Sequence, residues 1–272
     1  LRGRREGAEG SRVAAEAADG PGRVIHYHGT PVSGTRQDVV RFLSGRHALI
    51  PFARPDDLGA ALEVCQSVVL DNSAFSLWRS GGGDVDVAAY HAWVHSIAGH
   101  PSLDWCLIPD KIDGTEQDNI DLVSLWLRIG SRVKSVPVWH MHESLGWLDH
   151  LARSFQTVAI GSSGQWSTPG VATWWERIDE AMAVICDRDG RPRCRVHGLR
   201  MLDPAIFGRL PLASADSTNA SMNGGSVGRF GAYPAPTAGQ RADVIASRIE
   251  AHQSACRWVG SAQEAFAFGS AA

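Results

Sequence analysis

From residue 24 onward, short runs of consecutive apolar residues alternate with longer stretches whose apolar positions recur every three or four residues. Runs of the first kind suit strands buried on both faces, and the second suit amphipathic helices packed over them. Strand-type runs lie at "RVIHYHG" (23–29), "HALIPF" (47–52), "SVVLDN" (67–72), "DWCLIPD" (104–110), "SVPVWHMH" (135–142), "TVAIGSS" (157–163), "RCRVHGLR" (193–200) and "LASADST" (212–218). Helix-type stretches follow them at 36–43, 56–65, 85–99, 115–130, 144–155, 171–186, 203–210 and 239–258. Local signals mark two starts. Thr115 stands as an N-cap with Asp118 three residues on, a variant of the capping box, and Pro204 follows Asp203 at a first helical turn.

Eight strands in strict alternation with helices predict parallel strands joined by helical crossovers. Eight such units in about 250 residues predict a closed (β/α)8 TIM barrel, an α/β fold in one domain. No GxGxxG follows the first strand and no GxxxxGK[ST] occurs, so open nucleotide-binding sheets lose support. The barrel domain is expected over 23–260. Residues 1–22, "LRGRREGAEGSRVAAEAADGPG", have almost no large apolar groups and no signal-peptide centre; they are expected to be a flexible leader. Residues 261–272 are expected to be a C-terminal tail. The segment "NGGSVGRFGAYPAPTAG" (223–239) is expected to be a glycine-rich loop.

Composition adds exclusions. The chain is 44% hydrophobic and 20% charged, and 26 Lys+Arg against 29 Asp+Glu leave a net charge of −3, so it is not coated in basic patches. No apolar run approaches the roughly 18 residues of a membrane span. Five scattered cysteines without CxxC spacing signal neither a disulfide framework nor a zinc knuckle and suit a reducing cytoplasm. For a phage-encoded chain that would be the host's.

Chemistry collects where the strands end. A TIM barrel builds its site at the C-terminal ends of its strands. Those ends carry His26 and His28, Asp71 and Asn72, Asp110, His140 and His142, Gly161 with Ser162 and Ser163, His197 and Arg200, and Asp216. A single Asp after a strand is ordinarily an N-cap or turn former; three of them after apolar strands point to chemistry. Two chemistries fit. The His26-x-His28 and His140-x-His142 pairs, with His197 and Asp216, have the residue types of a divalent-metal hydrolase. Alternatively the carboxylates act directly, one as nucleophile at an anomeric carbon and one as proton donor and acceptor.

The order of these motifs resembles the tRNA-guanine transglycosylase superfamily. "LDNSAFSLW" resembles its "DSGGFQ" segment, "IPDKID" stands where it carries a base-reading Asp, and "VAIGSSG" resembles its "AIGGL" strand. "RVHGLRMLDPAIFGRLPLASADSTNAS" resembles the passage that ends on its nucleophile. The set spans about 24–225 and looks closer still to the shorter DpdA-type enzymes of phages and bacterial islands, which place 7-deazaguanines into DNA. The resemblance implies Asp216 as the nucleophile at C1′ and Asp71 as general acid/base. It implies Asp110 on the N–H edge of the guanine, backbone N–H groups of Gly161 and Ser162 on its O6, and His140 near the family's fifth-strand Gln. Asn72, Ser73, His142, His197, Arg200 and His28 complete the expected substrate-binding set. No cofactor and no metal are implied. The partners implied are DNA, with its guanine nucleotide flipped or single-stranded, and a 7-deazaguanine base.

Two departures stand out. The family's CxCxxC…H zinc cluster is reduced to Cys256 preceded by His252, which favours DNA over tRNA, and the glycines of "DSGGF" are replaced by Ser73 and Ala74. Candidate phosphate contacts are Arg36, Arg46, Arg54, Arg79, Arg200, Arg209, Arg229, Arg241 and Arg248, and candidate stacking residues are Trp166, Trp174 and Trp175.

Overall fold

The structure is a computed structural model and describes residues 23–260 except Tyr233. The expected leader (1–22) and tail (261–272) lie outside the described residues. All eight predicted strand runs form strands, and all their pairings are parallel. The first four β/α steps run β1 Ile25–Gly29, α1 Arg36–Leu43, β2 His47–Pro51, α2 Leu58–Val64, β3 Ser67–Asp71, α3 Ala74–Ser80, α4 Val87–Ile97, β4 Leu103–Leu107 and α5 Glu116–Ile129. Then come β5 Ser135–Val136, β6 Val138–His140, α6 Leu145–Ser154, β7 Thr157–Gly161 and α7 Ala172–Ile185. The chain ends its barrel with β8 Arg195–Gly198, α8 Pro204–Phe207, β9 Ser214–Ser217, α9 Asn219–Asn223 and α10 Ala238–Glu250.

The sheet order is β5-β4-β3-β2-β1-β9-β8-β7-β6. β5 and β6 are one predicted strand divided at Pro137, which has no N–H to give to a ladder. β5 pairs with β4 and β6 with β7, while the Pro137 carbonyl accepts the Ala159 N–H at 2.9 Å, so the ring closes through this strand as a (β/α)8 barrel. Inside it Tyr27, Leu49, Val69, Trp105, Leu107, Val136, Val138 and Ala159 form one apolar cluster. A larger cluster, with Phe42, Tyr90, Trp126, Trp139 and Trp174 fully buried, fills the shell between strands and helices.

Residues two apart on a strand share a face. The inward series therefore runs from Val69 to Asp71, from Val138 to His140, from Ala159 to Gly161 and from Ser214 to Asp216. Each ends in a polar residue or a glycine at the C-terminal mouth. That is why a buried strand can finish on an acid: the apolar part fills the barrel and the last inward position lies at its C-terminal mouth.

The Thr115–Asp118 capping box forms and Pro204 stands in the first turn of α8 as predicted, with Asp203 as the N-cap of that helix. α3 is an unpredicted helix between Asn72 and the glycine triplet 81–83. The long helix expected over 239–258 stops at Glu250. The chain then turns across the N-terminal end of the barrel, where Gln253 accepts the Val24 N–H at 3.2 Å and the Phe207 carbonyl accepts the Ala255 N–H at 3.2 Å. These tertiary bonds replace helical ones. The expected loop over 223–239 includes a 3-10 turn at Val227–Phe230 and the start of α10. Among the described residues no helix is long and apolar enough to cross a membrane.

α10 closes the outer shell against α1. Asp38 accepts the Gly239 N–H at 2.9 Å and caps its own helix through Thr35. A Cβ at Gly239 would lie 2.9 Å from the backbone of Asp38. Gly239→Ala is therefore expected to cost about 2 kcal/mol by overpacking, read from urea denaturation; wild-type stability would show that these helices are not so closely apposed.

Candidate active site

Two carboxylates at the mouth are held in the same way. The Ser73 N–H donates to Asp71 Oδ2 at 3.1 Å, and the Arg200 N–H donates to Asp216 Oδ1 at 3.0 Å. Ser73 (φ 67°) and Arg200 (φ 59°) are the two non-glycine residues with positive φ among the described residues. Left-handed backbone at such residues costs on the order of 1 kcal/mol and persists where the surroundings dictate it. Both strained residues aim an amide at a candidate catalytic acid. The Ser73 hydroxyl also accepts the Ala53 N–H at 3.0 Å, fixing its turn against the loop after β2.

Asp71 is pushed up to about 7, first by burial and then by the negative fields of Asp216 and Asp110, with the Ser73 N–H opposing. Asp71, Asp110 and Asp216 thus lie within electrostatic reach of one another around one mouth. A carboxyl that titrates near neutrality can both release and accept a proton.

Asp110, just beyond β4, is buried, and each of its oxygens has one partner. Its Oδ1 accepts from Asn72 Nδ2 at 2.6 Å, and its Oδ2 lies 2.8 Å from His140 Nε2. Asn72 also donates to the Ile108 carbonyl at 2.7 Å and accepts the Ala74 N–H at 2.8 Å, so it ties the ends of β3 and β4 together. For His140, burial works to lower the imidazole, but the Asp110 hydrogen bond and charge, with Glu143, outweigh it and hold the ring above its ordinary value. A Cβ on Gly161 would meet His140 Nδ1 at 3.2 Å, so the bare glycine keeps that side of the ring open. A cleft of about 400 Å³ reaches Asp110 from the side and is lined by Ala74, Trp78, Asp84 and Lys111 among others; neither Asp71 nor Asp216 lines it.

Other expected site residues take supporting positions. His142 is a strut, with Nδ1 2.8 Å from the Ser163 hydroxyl and Nε2 2.9 Å from the Gly114 carbonyl. The Ser162 hydroxyl accepts the Trp174 indole N–H at 2.9 Å. Arg200 lies at the rim, its guanidinium 4.3 Å from the centre of the Phe75 ring. His197 is fully buried beneath Asp216, with Nε2 3.4 Å from Asp216 Oδ1.

Several expectations are corrected. His28 is not at the mouth: Tyr27 takes the inward position on β1, and His28 points into the outer shell, where it pairs with Glu250 at 2.8 Å and packs on Phe42. His26 likewise faces outward, 3.1 Å from the His252 carbonyl. With His140 on Asp110 and His142 on Ser163, neither HxH pair is arranged as a metal-binding pair. Among the described residues no three His, Cys, Asp or Glu side chains are grouped to hold a metal ion. Arg46 is spent on Asp243 and Glu250, and Arg241 on the carbonyls of Gly224, Ala235 and Pro236, so neither is a free phosphate contact. Trp174 is fully buried and cannot stack on a base.

Sequence reasoning missed the support behind His140. Glu143 accepts the His140 N–H at 2.8 Å and Asn119 Nδ2 at 2.7 Å, while Arg177 donates to the carbonyls of Met141 and Glu143. These residues sit on three different elements, and spacing along the chain carries no trace of their meeting. The one usable signal was Glu143 itself, an acid directly after "HMH".

The sequence matches no protein-family model and no curated protein. Among solved structures it is similar to a mutant tryptophan synthase alpha-subunit from Pyrococcus furiosus, with 12% identity and a TM-score of 0.49 over 85% of this chain and 97% of that one. The tryptophan synthase complex from Pyrococcus furiosus aligns over the same shares with 13% identity and a TM-score of 0.47. Such distant likenesses say nothing about chemistry.

Because Asp71 binds its proton more tightly folded than unfolded, it contributes stability that is complete below about pH 4 and lost as pH rises through about 7. Asp71→Asn removes that loss. The variant should gain about 1–3 kcal/mol over wild type between pH 4 and pH 8, at about 1.4 kcal/mol per pH unit and allowing for partial solvent access. Parallel stability curves across this range would contradict the raised value.

Proposed function

We propose that the protein is a base-exchange transglycosylase that replaces guanine in DNA with a 7-deazaguanine through a covalent glycosyl ester on Asp216. The observation that carries this reading is the meeting of Asp71, Asp110 and Asp216 at one barrel mouth, with Asp71 pushed up to about 7 by its burial and then by the fields of the other two. Cleaving a glycosidic bond to a purine needs a carboxylate at a carbon that develops oxocarbenium character and a proton for the departing base. Asp216 serves as the first and Asp71 as the second.

In this reading Asp216 attacks C1′ and the base leaves with the proton of Asp71. Asp71, now a carboxylate, removes a proton from the incoming deazaguanine, whose nitrogen then displaces Asp216 from C1′. Asp110, held rigid by Asn72 and His140, accepts from the N–H edge of the base. The backbone at Gly161 and Ser162 meets the base's O6, beside the open face of His140. The left-handed Ser73 supports the resemblance at its most altered motif, since it adopts at the first glycine position of "DSGGF" a conformation that glycine favours. A base stacked in a duplex cannot reach this mouth, so the nucleotide must be flipped out or unpaired, at a few kcal/mol. Arg79 and Arg200 at the rim are the candidate phosphate contacts, and binding should weaken steeply with salt.

Exchange of radiolabelled guanine into DNA and into tRNA, run side by side, tests the reading. DNA should be labelled, and Asp216→Asn should lower exchange by at least about 10³-fold while leaving the melting temperature close to wild type. Labelling of tRNA alone would move the assignment to RNA, and labelling of neither would end it. Single-turnover guanine release should also fall about tenfold per pH unit above about 7, as Asp71 loses its proton; release that stays level to pH 9 would remove Asp71 from the acid's role.

A further inference from the structure

His197 sits below the mouth with nothing for a substrate to touch. Its side chain is fully buried, its ring centre lies 4.9 Å from that of Trp105 and 6.1 Å from that of Tyr27, and both contacts are edge-on. The ring therefore cannot turn freely. Nδ1 lies 2.8 Å from the Ser214 hydroxyl. Nε2 is a buried polar atom without a hydrogen-bond partner in this state, and the carboxylate it faces is Asp216, 3.4 Å away at Oδ1. The same Oδ1 accepts the Arg200 N–H, whereas no hydrogen bond reaches Oδ2 among the described residues.

We infer that His197 is a positioning residue for Asp216: a neutral imidazole protonated on Nε2, which holds Oδ1 from below and leaves Oδ2 as the attacking oxygen. The inference rests on the reading of Asp216 as a nucleophile. The Ser214 hydroxyl, by donating to Nδ1, keeps the proton on Nε2, and which ring nitrogen carries the proton is set by what the other one meets. A lone pair on Nε2 would instead face a carboxylate across 3.4 Å with nothing to offset the repulsion. A donor on Nε2 turns the orphaned atom into a second grip on Oδ1, opposite the strained Arg200 amide.

The consequence for the reaction is specific. The bond from Oδ2 to C1′ forms as the bond from C1′ to the base nitrogen breaks, and that electron pair leaves with the base, which takes the Asp71 proton. Asp216 loses its charge and Oδ1 becomes the ester carbonyl, still accepting from Arg200, with the Nε2 proton of His197 directed at it. The carboxylate need not rotate between attack and release. His197 touches neither sugar nor base.

Two measurements test this separately from the function. In uniformly ¹⁵N-labelled protein, long-range ¹H–¹⁵N spectra should show the His197 ring in the neutral form with its proton on Nε2. A proton on Nδ1 would overturn the inference whatever the enzyme does. In guanine exchange, His197→Leu should lower kcat by about 10²-fold with KM within about threefold, the scale of losing one buried donor to a reacting group. His197→Gln, whose amide can present an N–H near the position of Nε2, should recover at least tenfold of that loss. Equal losses in both variants with matched melting temperatures, or no loss in either, would overturn the positioning role. Absence of exchange in the wild type would instead count against the transglycosylase reading and leave the tautomer measurement to decide His197.

Discussion

Crowding negative charge around one barrel mouth is the constraint on which the rest of the structure depends. Asp71, Asp110 and Asp216 come from the ends of β3, β4 and β9, and three ionised carboxylates in so small a space repel. Each is managed differently. Asp110 is paired with His140 and braced by Asn72. Asp216 accepts a backbone amide and lies over a buried imidazole. Asp71 accepts one amide and has no cation partner among the described residues; its burial first, and then the charges of its neighbours, make it hold its proton to about pH 7. The fold thus gives three chemically identical groups three different surroundings, and such a sorting of environments is what acid/base chemistry at a glycosidic carbon requires.

The sorting depends on strain placed at the two acids that do the proposed chemistry. Ser73 and Arg200 both leave their strands by a left-handed step that a non-glycine residue avoids, and in each case the reward is an N–H directed at a carboxylate. The continuous parallel ladder β3-β2-β1-β9-β8 sets the separation of the strands from which both turns leave.

Much of this was legible in the chain. Eight apolar runs in alternation with amphipathic stretches were enough for the barrel, and the barrel located the acids, because a strand's C-terminal end is where such a fold meets substrate. What the period of two could not tell was which alternate set faces inward. On β1 the bulky Tyr27 fills the interior, so His26 and His28 turn outward, and the HxH pattern that suggested a metal dissolves into outer-shell hydrogen bonds to the His252 carbonyl and to Glu250. Glu143, Asn119 and Arg177 escaped notice for a different reason: they meet only through tertiary contact. The positive φ of Arg200 was hidden as well, since nothing in "HGLRML" announces it. The short α3 could have been read from the glycine triplet that follows it.

The central claim is that Asp71 and Asp216 act on each other across one mouth. Its most direct measurement is a ¹³C carboxyl titration of Asp71 in the wild type and in Asp216→Asn. Asp71 should titrate near 7 in the wild type, and removing the Asp216 charge should lower that midpoint by roughly one pH unit while burial keeps it above the ordinary carboxylate range. A midpoint that stays unchanged in the variant would mean that the two acids do not share a site.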